Sequence, residues 1–147
     1  MSSVSVRPVE PRDFAEWLAL WKGYQTFYRT EIPDDVAQLT WSRLLDDAEP
    51  MHSMVADSGG QLIGIVNYLF HRSCWTRGDY CYLQDLFVAP DYRGKRIGRR
   101  LIEAVYAAAD RAGASRVYWL TQEDNRAARL LYDRVARYSG FIQYRRS

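Results

Sequence analysis

The chain has 147 residues, of which 48% are apolar and 26% charged, and this size and mixture are typical of one globular domain. No window approaches roughly 18 uninterrupted apolar residues, which excludes a membrane-spanning helix, and the composition also excludes collagen-like and disordered proteins. The 20 basic residues, 18 of them arginine, are balanced by 18 acidic ones to a net charge of +2, so charge gives nucleic-acid binding little support. Residues 1–5 lack a signal peptide's apolar stretch, and Cys74 and Cys81 form no CxxC pair, so we expect a cytoplasmic protein with free thiols.

The first half of the chain predicts, in order, a strand, a helix, an aromatic loop, a second helix and a β-hairpin. The strand occupies residues 4–9, the first helix 13–24, the aromatic loop 24–32 and the second helix 34–45. The two strands of the hairpin occupy residues 52–56 and 62–70, with the turn at residues 57–60. The first helix rests on apolar residues spaced three or four apart after Asp13, and the hairpin rests on a Gly-Gly turn between two β-rich segments. We expect the second helix to bury apolar side chains on one face, namely Val36, Trp41, Leu44 and Leu45.

The second half predicts a strand, a helix, a strand, a helix and a final strand. They occupy residues 80–88, 97–112, 116–121, 124–135 and 141–145. The first of these helices is the clearest, because apolar residues at helical spacing form one stripe and Gly113 can end the helix. Asp124 is the expected cap of the second helix, and Gly140 separates that helix from the last strand. No linker, repeat or low-complexity segment divides the chain, which predicts one mixed α/β domain over residues 1–147.

The segment at residues 92–99 joins the strand at residues 80–88 to the clearest helix. A glycine-bearing loop that enters a helix offers free backbone N–H groups and the positive end of the helix dipole, which together bind a pyrophosphate. Five basic side chains within residues 93–100 add positive charge. The spacing of Gly94 and Gly98 matches neither a Walker loop nor GxGxxG. From the residues alone, the segment is either a phosphate-binding loop or an ordinary connection.

Two motifs carry a family resemblance. The strand end Val88-Ala89-Pro90-Asp91-Tyr92 is followed by Arg93-Gly94-Lys95-Arg96-Ile97-Gly98, and a second motif runs from Asn125 through Tyr132. Together with the order of the elements, they resemble the GNAT superfamily of acetyl-CoA-dependent N-acetyltransferases, whose cofactor motif is Arg/Gln-x-x-Gly-x-Gly/Ala. The chain looks most like the fungal histone and polyamine acetyltransferases and their bacterial relatives. The resemblance implies the GNAT fold, a mostly antiparallel sheet splayed at its fourth strand and flanked by four helices, with acetyl-CoA as cosubstrate and no metal.

The resemblance implies cofactor contacts from the fourth strand, the loop and the last helix: Leu86, Phe87, Val88, Arg93, Gly94, Lys95, Arg96, Ile97, Gly98, Arg99, Asn125 and Ala128. Arg96 departs from the family pattern, which has glycine at that position so that no side chain obstructs the pyrophosphate. Either the Arg96 guanidinium turns outward and adds a phosphate contact, which we favour, or it crowds the pocket. The Arg96 N–H stays available if its φ is helical.

A GNAT-like reaction is the direct attack of a neutral amine on the acetyl thioester, so the acceptor ammonium must first lose a proton. Polyamine-type relatives carry a Glu-Asp pair on the fourth strand; here the pair is Gln84-Asp85, and only Asp85 can act as a base. Strict alternation places these two side chains on opposite faces of the sheet. Asp85 is equally well explained as a structural acid. Tyr132 matches the family's general-acid tyrosine, although its position on an apolar helix face also fits a core residue.

We expect the acceptor amine to contact Tyr24, Phe27, Tyr28 and Gln84, with Glu31, Asp34 or Asp35 holding a second positive charge. The resemblance implies acetyl transfer to a primary amine: a polyamine, another small amine or a lysine of a basic protein. A catalytically weak acetyl-CoA-binding module is the alternative, and a nucleic-acid-binding protein ranks third; no membrane partner is expected. The family usually closes its sheet with two C-terminal strands, whereas this sequence carries one, so we expect a homodimer joined through that strand.

Overall fold

The computed structural model describes residues 3–147; the predicted domain begins at Met1, and Met1 and Ser2 lie outside the described residues. Five strands form one sheet: β1 (Val4–Pro8), β2 (Met51–Ser58), β3 (Gln61–His71), β4 (Tyr80–Val88) and β5 (Arg116–Tyr118). They lie in that order, the first four antiparallel and β5 parallel to β4. Four helices flank the sheet: α1 (Phe14–Phe27), α2 (Asp34–Leu44), α3 (Ile97–Arg111) and α4 (Arg126–Val135). The prediction of a mostly antiparallel mixed sheet with four helices is confirmed.

The sheet separates two apolar cores. Helices α1 and α2 cover one face, where the buried rings of Trp17 and Trp41 lie 4.9 Å apart. Helix α3 covers the opposite face with the fully buried side chains of Leu101, Ile102 and Val105, as the apolar stripe in its sequence indicates. Strands β3 and β4 lie between both cores, so their backbones are fixed from either side. No helix within residues 3–147 is long and apolar enough to cross a membrane.

Helix α2 buries a different set of residues from the predicted one. The buried side chains are Ala37, Trp41 and Leu44, which recur four and three residues apart and therefore form one stripe. Val36 and Leu45 are 43% and 36% exposed, so the prediction that they are buried is wrong. Val36 precedes Ala37 by one position and Leu45 follows Leu44 by one position, so each lies about 100° round the helix from a buried residue.

The predicted hairpin between β2 and β3 is confirmed. Gly59 and Gly60 form its two-residue turn with φ values of 61° and 96°, which glycine adopts without strain and which suit the twist of a hairpin. The Asp57 carboxylate accepts the Gly60 N–H at 2.8 Å, and Ser58 stands opposite Gln61. The turn thereby sets the register of β3 in the sheet.

Several element boundaries differ from the prediction. Helix α1 continues to Phe27, because nothing in residues 24–27 stops a helix, so the first four residues of the expected aromatic loop are helical. Strand β5 ends at Tyr118, where its pairing with β4 ends. Helix α4 begins after Asn125, and the Asp124 side chain does not cap it, because a backbone turn from Arg126 N–H to the Asp124 carbonyl precedes the helix.

The predicted last strand, residues 141–145, is not formed: residues 137–147 contain neither helix nor strand. Phe141, Ile142 and Tyr144 are 83%, 73% and 90% exposed. A strand needs a neighbour to receive its backbone hydrogen bonds, and this segment pairs with no strand within residues 3–147. Its apolar side chains are therefore left on the surface of the single chain.

An ion pair fastens β1 to the start of α1 and to β2. Arg7 donates to both carboxylate oxygens of Asp13 at 2.8 and 2.9 Å, and to Asp57 Oδ2 at 3.2 Å. Asp13 is buried and also accepts the Glu10 N–H at 2.7 Å. The hydrogen bonds from Arg7 hold the pKa of Asp13 below its ordinary value, although burial acts in the opposite direction. Asp13 thus precedes α1 as predicted, but its side chain serves the ion pair.

Asp13→Asn keeps the shape of the side chain and removes its charge, so we expect the free energy of unfolding at about pH 7 to fall by about 2 kcal/mol. Because the folded pKa of Asp13 lies below the unfolded value of about 3.9, the wild type loses this advantage as the pH falls through that value. Urea unfolding at about pH 7 and about pH 3 measures both effects. Glu103→Gln removes an exposed pair with Arg99 and should cost less than about 0.5 kcal/mol; equal losses in the two variants would argue against the role of Asp13.

Candidate active site

Strands β4 and β5 pair over their first residues and then separate. Their parallel ladder joins Tyr80 to Arg116 and Tyr82 to Tyr118, and it ends there, although β4 continues to Val88. The edge of β4 that faces β5 therefore has no strand partner beyond Tyr82 within residues 3–147. The predicted splay at the fourth strand is confirmed.

A cavity of about 620 Å³ opens at this separation, which is within the range of small-molecule sites. It is bounded by the carboxyl end of β4, the loop that enters α3, the end of α1, and α4. The predicted site residues that line it are Tyr24, Phe27, Tyr28, Leu86, Phe87, Val88, Arg93, Gly94, Arg96, Ile97, Gly98, Arg99, Asn125, Ala128 and Tyr132. The fold thus brings together residues that are up to about a hundred positions apart in the sequence.

Lys95, Gln84 and Asp85 are the predicted site residues that do not line this cavity. The Lys95 ammonium lies 5.4 Å from the centroid of the Tyr92 ring. Lining residues that the sequence did not point to are Tyr92, Ala127, Leu130, Leu131 and Arg134. The last four are spaced three or four residues apart along α4 and therefore lie on one face of that helix. Helical spacing identifies them once the face of α4 that turns toward the cavity is known.

The start of α3 supplies free backbone donors. Arg100 N–H donates to the Arg96 carbonyl at 3.1 Å, whereas the N–H groups of residues 97–99 have no carbonyl partner within the described chain. The first turn of a helix leaves such groups free and carries the positive end of the helix dipole. Because these residues also line the cavity, the donor set fits a pyrophosphate.

Arg96 has a left-handed backbone, with φ of 64° and ψ of 17°, so the condition of a helical φ is not met. Gly94, two residues earlier, is also left-handed, with φ of 79°. The chain takes these two conformations where it leads from the 3-10 turn at Pro90–Tyr92 into α3. For arginine this conformation costs roughly 1 kcal/mol. Glycine adopts this conformation without strain, and the family pattern noted in the sequence has glycine at this position.

The Arg93 side chain crosses the cavity wall at the end of β4. Its Nε donates to the Val88 carbonyl at 3.1 Å. Its guanidinium carbon lies 5.4 Å from the centroid of the Phe87 ring and 5.9 Å from that of Phe27, within the range of a cation–π contact. A positive charge is therefore fixed beside the start of α3, which makes this end of the cavity suited to anions.

Asp85 is buried next to a β-bulge. The register pairs Asn67 with Asp85 and then skips Gln84, so the strict alternation expected for Gln84 and Asp85 fails. Asn67 Nδ2 donates to Asp85 Oδ2 at 3.2 Å. Burial raises the pKa of Asp85 to about 6, while the Asn67 amide and the nearby Tyr24 hydroxyl act in the opposite direction.

Three tyrosines converge at this end of the cavity. Tyr24, Tyr28 and Tyr132 also line a recess of about 20 Å³ together with Gln84. Burial raises the pKa of Tyr132 to about 12, so its hydroxyl is protonated at neutral pH and can donate a hydrogen bond. Burial and the Asp85 charge raise the pKa of Tyr28, while the nearby Asn125 side chain acts in the opposite direction. Asn125 Nδ2 itself donates to Thr121 Oγ1 at 3.4 Å.

The acidic residues expected to hold a second positive charge lie away from the cavity. Glu31, Asp34 and Asp35 are exposed on the segment that follows α1, and Asp34 is 3.8 Å from Lys22. No carboxylate of residues 3–147 lines either cavity. In the same range, no group of three or more His, Cys, Asp and Glu side chains is placed to hold a metal ion.

Comparison with known proteins agrees with this arrangement. The D-amino-acid N-acetyltransferase HPA3 of Saccharomyces cerevisiae is 38% identical over 146 residues, which are 98% of this chain and 91% of that protein. The thialysine N-epsilon-acetyltransferase of Mus musculus is 36% identical over 74 residues, which are 50% of this chain and 43% of that protein. An aminoglycoside N-acetyltransferase solved in complex with CoA has a TM-score of 0.87 and 19% identity, and the match covers 100% of this chain and 96% of that one.

The structural match shows a shared fold, whereas the sequence matches show common membership of a family. The family model described as acetyltransferase (GNAT) family matches residues 14–136, which run from the start of α1 to the residue after α4. The resemblance noted in the sequence is confirmed by this match and by the 38% identity to the yeast enzyme. This chain belongs to the GNAT acetyltransferase family and is an N-acetyltransferase.

Proposed function

We propose that this enzyme transfers the acetyl group of acetyl-CoA to the nitrogen of a small primary amine by direct attack. The observation that carries the proposal is one cavity with two chemically distinct ends. The end at α3 offers free N–H groups and the Arg96 guanidinium, which suit phosphates. The other end offers the hydroxyls of Tyr24, Tyr28 and Tyr132, the first two near Asp85, which suit an amine. The open edge of β4 lies between them, where the group to be transferred has to be held.

Acetyl-CoA fits the donor set of this cavity. The free N–H groups of residues 97–99 would hold its pyrophosphate, Arg96 and Arg99 would contact its phosphates, and Lys95 would add charge from outside the lining. Asn125 and Ala128 would form the opposite wall. When bound, acetyl-CoA supplies an acetyl group activated as a thioester. Successive N–H groups of a strand point to opposite edges, so alternate backbone N–H groups among residues 86–88 would face the open edge of β4 and polarise the acetyl carbonyl.

Tyr132 would donate a hydrogen bond to the sulfur as the thiolate departs. Its pKa of about 12, against about 8.5 for a thiol, makes complete proton transfer uphill by about 5 kcal/mol. A hydrogen bond to the sulfur is therefore the role that its chemistry supports. Its ring meets Trp119 with 5.4 Å between centroids, and this contact fixes the direction of the hydroxyl.

A small amine with one positive charge fits the site better than a polyamine. A second ammonium would need a carboxylate partner in the wall, and the lining contains none among residues 3–147. The relatives named for D-amino acids and for thialysine also support a small acceptor. Tyr24, Phe27, Tyr28 and Gln84 remain the proposed acceptor contacts, and Asp85 the proposed base.

A catalytically weak acetyl-CoA-binding module is the second candidate. It is favoured by the burial of Asp85, which lines neither cavity, and by the amide Gln84 at the position where relatives of the polyamine type carry a carboxylate. This protein would bind acetyl-CoA and turn it over slowly with every amine. The same assay separates the two candidates.

The test is release of the CoA thiol from acetyl-CoA across a panel of small amines, amino acids of both configurations, polyamines and a lysine peptide. We expect turnover with at least one small amine and an at least tenfold lower kcat for Tyr132→Phe, because the hydrogen bond to sulfur is lost. Acetyl-CoA affinity, measured by calorimetry, should be unchanged in this variant. Failure of the wild type on every amine would support the binding module, and full activity of Tyr132→Phe would refute its role.

Arg96→Gly tests the role of the strained residue. We expect the free energy of unfolding to rise by up to about 1 kcal/mol, because glycine relieves the left-handed strain. Acetyl-CoA affinity should fall about tenfold, because a charge-assisted contact to phosphate is lost. Calorimetry with CoA and dephospho-CoA shows which phosphate is involved.

Arg100→Gln is the control: it removes a charge from the same turn outside the cavity lining and should keep the acetyl-CoA affinity within about twofold. A large gain of affinity in Arg96→Gly would mean that the side chain crowds the pocket.

We propose that the protein is a homodimer joined through its C-terminal segments, residues 137–147. The exposed Phe141, Ile142 and Tyr144 form an apolar group with no cover in one chain. Strand β5 presents an edge that pairs with no strand in residues 3–147, and such an edge is a template for another strand. Residues 141–145 of one copy would add to this edge of the other, which supplies the neighbour that the predicted strand lacks.

Light scattering after size exclusion measures this association. The wild type should elute at twice the chain mass of 17.2 kDa, and Ile142→Asp should shift it toward the monomer because a charge would be buried in the interface. Trp75→Ser, a change at a residue that is 86% exposed outside the segment, should leave the dimer intact. A monomeric wild type at the highest concentration reached would exclude the proposal.

A further inference from the structure

The proposed base, Asp85, is not part of the wall of the cavity in which the acceptor amine would bind. Asp85 is only 6% exposed, and it lines neither the main cavity nor the recess beside it. An amine nitrogen held in the cavity therefore cannot touch the carboxylate. Tyr24 lines both spaces, and its hydroxyl lies near enough to the carboxylate to lower the pKa of Asp85. Among the tyrosines of residues 3–147 that line the cavity, Tyr24 is the one with this effect on Asp85.

Packing fixes both partners of this contact. The Tyr24 ring is stacked on Trp21, with 5.1 Å between centroids and 19° between planes, and it meets the Tyr28 ring at 4.8 Å. On the other side, Asn67 Nδ2 donates to Asp85 Oδ2 at 3.2 Å. Asn67 is itself buried and stands directly opposite Asp85 in the sheet. A rigid donor and a rigid acceptor are what a proton transfer between them requires.

We propose that Tyr24 is a catalytic residue that relays the proton of the acceptor ammonium to Asp85. The inference rests on the proposed acetyl transfer, which requires a neutral amine. The N–H bond of the ammonium breaks as its proton passes to Tyr24 Oη, and the electron pair stays on nitrogen. At the same time the Tyr24 hydroxyl proton passes to the Asp85 carboxylate. Tyr24 ends neutral, the amine is neutral and Asp85 is a carboxylic acid, which returns its proton to solvent along the same route after the product leaves.

The groups around Asp85 suit this role. Tyr24 lies near it on α1 and Tyr28 just after α1, while Tyr82 is on β4 and the neutral Asn67 on β3. The pKa of Asp85, raised by burial to about 6, leaves the carboxylate ionised and able to accept a proton near neutral pH. Burial and the Asp85 charge raise the pKa of Tyr24, so its hydroxyl stays protonated between transfers. Tyr24 can therefore transfer a proton without remaining as a tyrosinate.

Tyr24→Phe removes the relay and keeps the ring. We expect kcat with the best amine to fall at least tenfold, with KM changed less than about threefold. The Tyr24 hydroxyl lowers the pKa of Asp85, so its loss should move the acid limb of the kcat profile to higher pH. Carbon-13 NMR titration of the Asp85 carboxyl in the ligand-free protein should show the same upward shift without any turnover. Asp85→Asn should reduce kcat at least as much as Tyr24→Phe.

Tyr82→Phe is the matched control, because Tyr82 lies near the same carboxylate without lowering its pKa; it should leave the carboxyl titration unchanged. Acetyl-CoA affinity of each variant checks that the fold and the cofactor site are intact. The relay is overturned if Tyr24→Phe raises KM alone, if it leaves the Asp85 titration unmoved, or if Asp85→Asn keeps full activity. A wild type that is inert toward every amine overturns the acetyl transfer itself, and the relay with it.

Discussion

The separation of β4 from β5 is the constraint on which the site depends. A parallel pair is joined by evenly spaced, slanted hydrogen bonds, and here the ladder runs only from Tyr80 and Arg116 to Tyr82 and Tyr118. Strand β3 holds the other edge of β4 through to Val88, and the two cores fix both strands from either face. The gap between β4 and β5 therefore persists as a wedge, and the polar backbone of β4 lines one side of it. The start of α3, the end of α1 and one face of α4 are arranged around that wedge.

The cavity also explains how an arginine-rich chain of low net charge can hold an anion. Arginines occur throughout the sequence and are balanced by acids, so their number alone is uninformative. What matters is that Arg93, Arg96 and Arg99 line the same cavity as the free N–H groups of the first turn of α3. Backbone donors have no side-chain entropy to lose, and the guanidinium groups add charge where the helix dipole is already positive. The strained backbone of Arg96 sits at that junction.

The sequence was sufficient for the features that periodicity and motif determine, and insufficient for those that depend on partners. The stripe on α3, the Gly59-Gly60 turn and the family motifs are local patterns; the helix, the turn and the family they indicate are confirmed, whereas the contacts that the motifs imply with acetyl-CoA stay predictions. Whether Val36 is buried depends on which face of α2 turns toward the sheet, and the identity of one residue does not reveal that face. The bulge at Gln84 and the pairing of Asn67 with Asp85 arise from the register of β3 against β4, so no local signal at Asn67 indicates a role. The segment at residues 141–145 has the composition of a strand but no neighbour.

The aromatic residues packed behind the site have a practical consequence. Trp21 is stacked on Tyr24, and Trp119 meets Tyr132 edge to face. Tyr24, the proposed proton relay, and Tyr132, the proposed donor to sulfur, thus each touch a different tryptophan. Tryptophan emission responds to changes in a neighbouring ring and its hydrogen bonds. The chain has five tryptophans, so the part of the emission that is lost when Trp21 or Trp119 is replaced by phenylalanine reports, without a label, on the amine side or the sulfur side of the cavity.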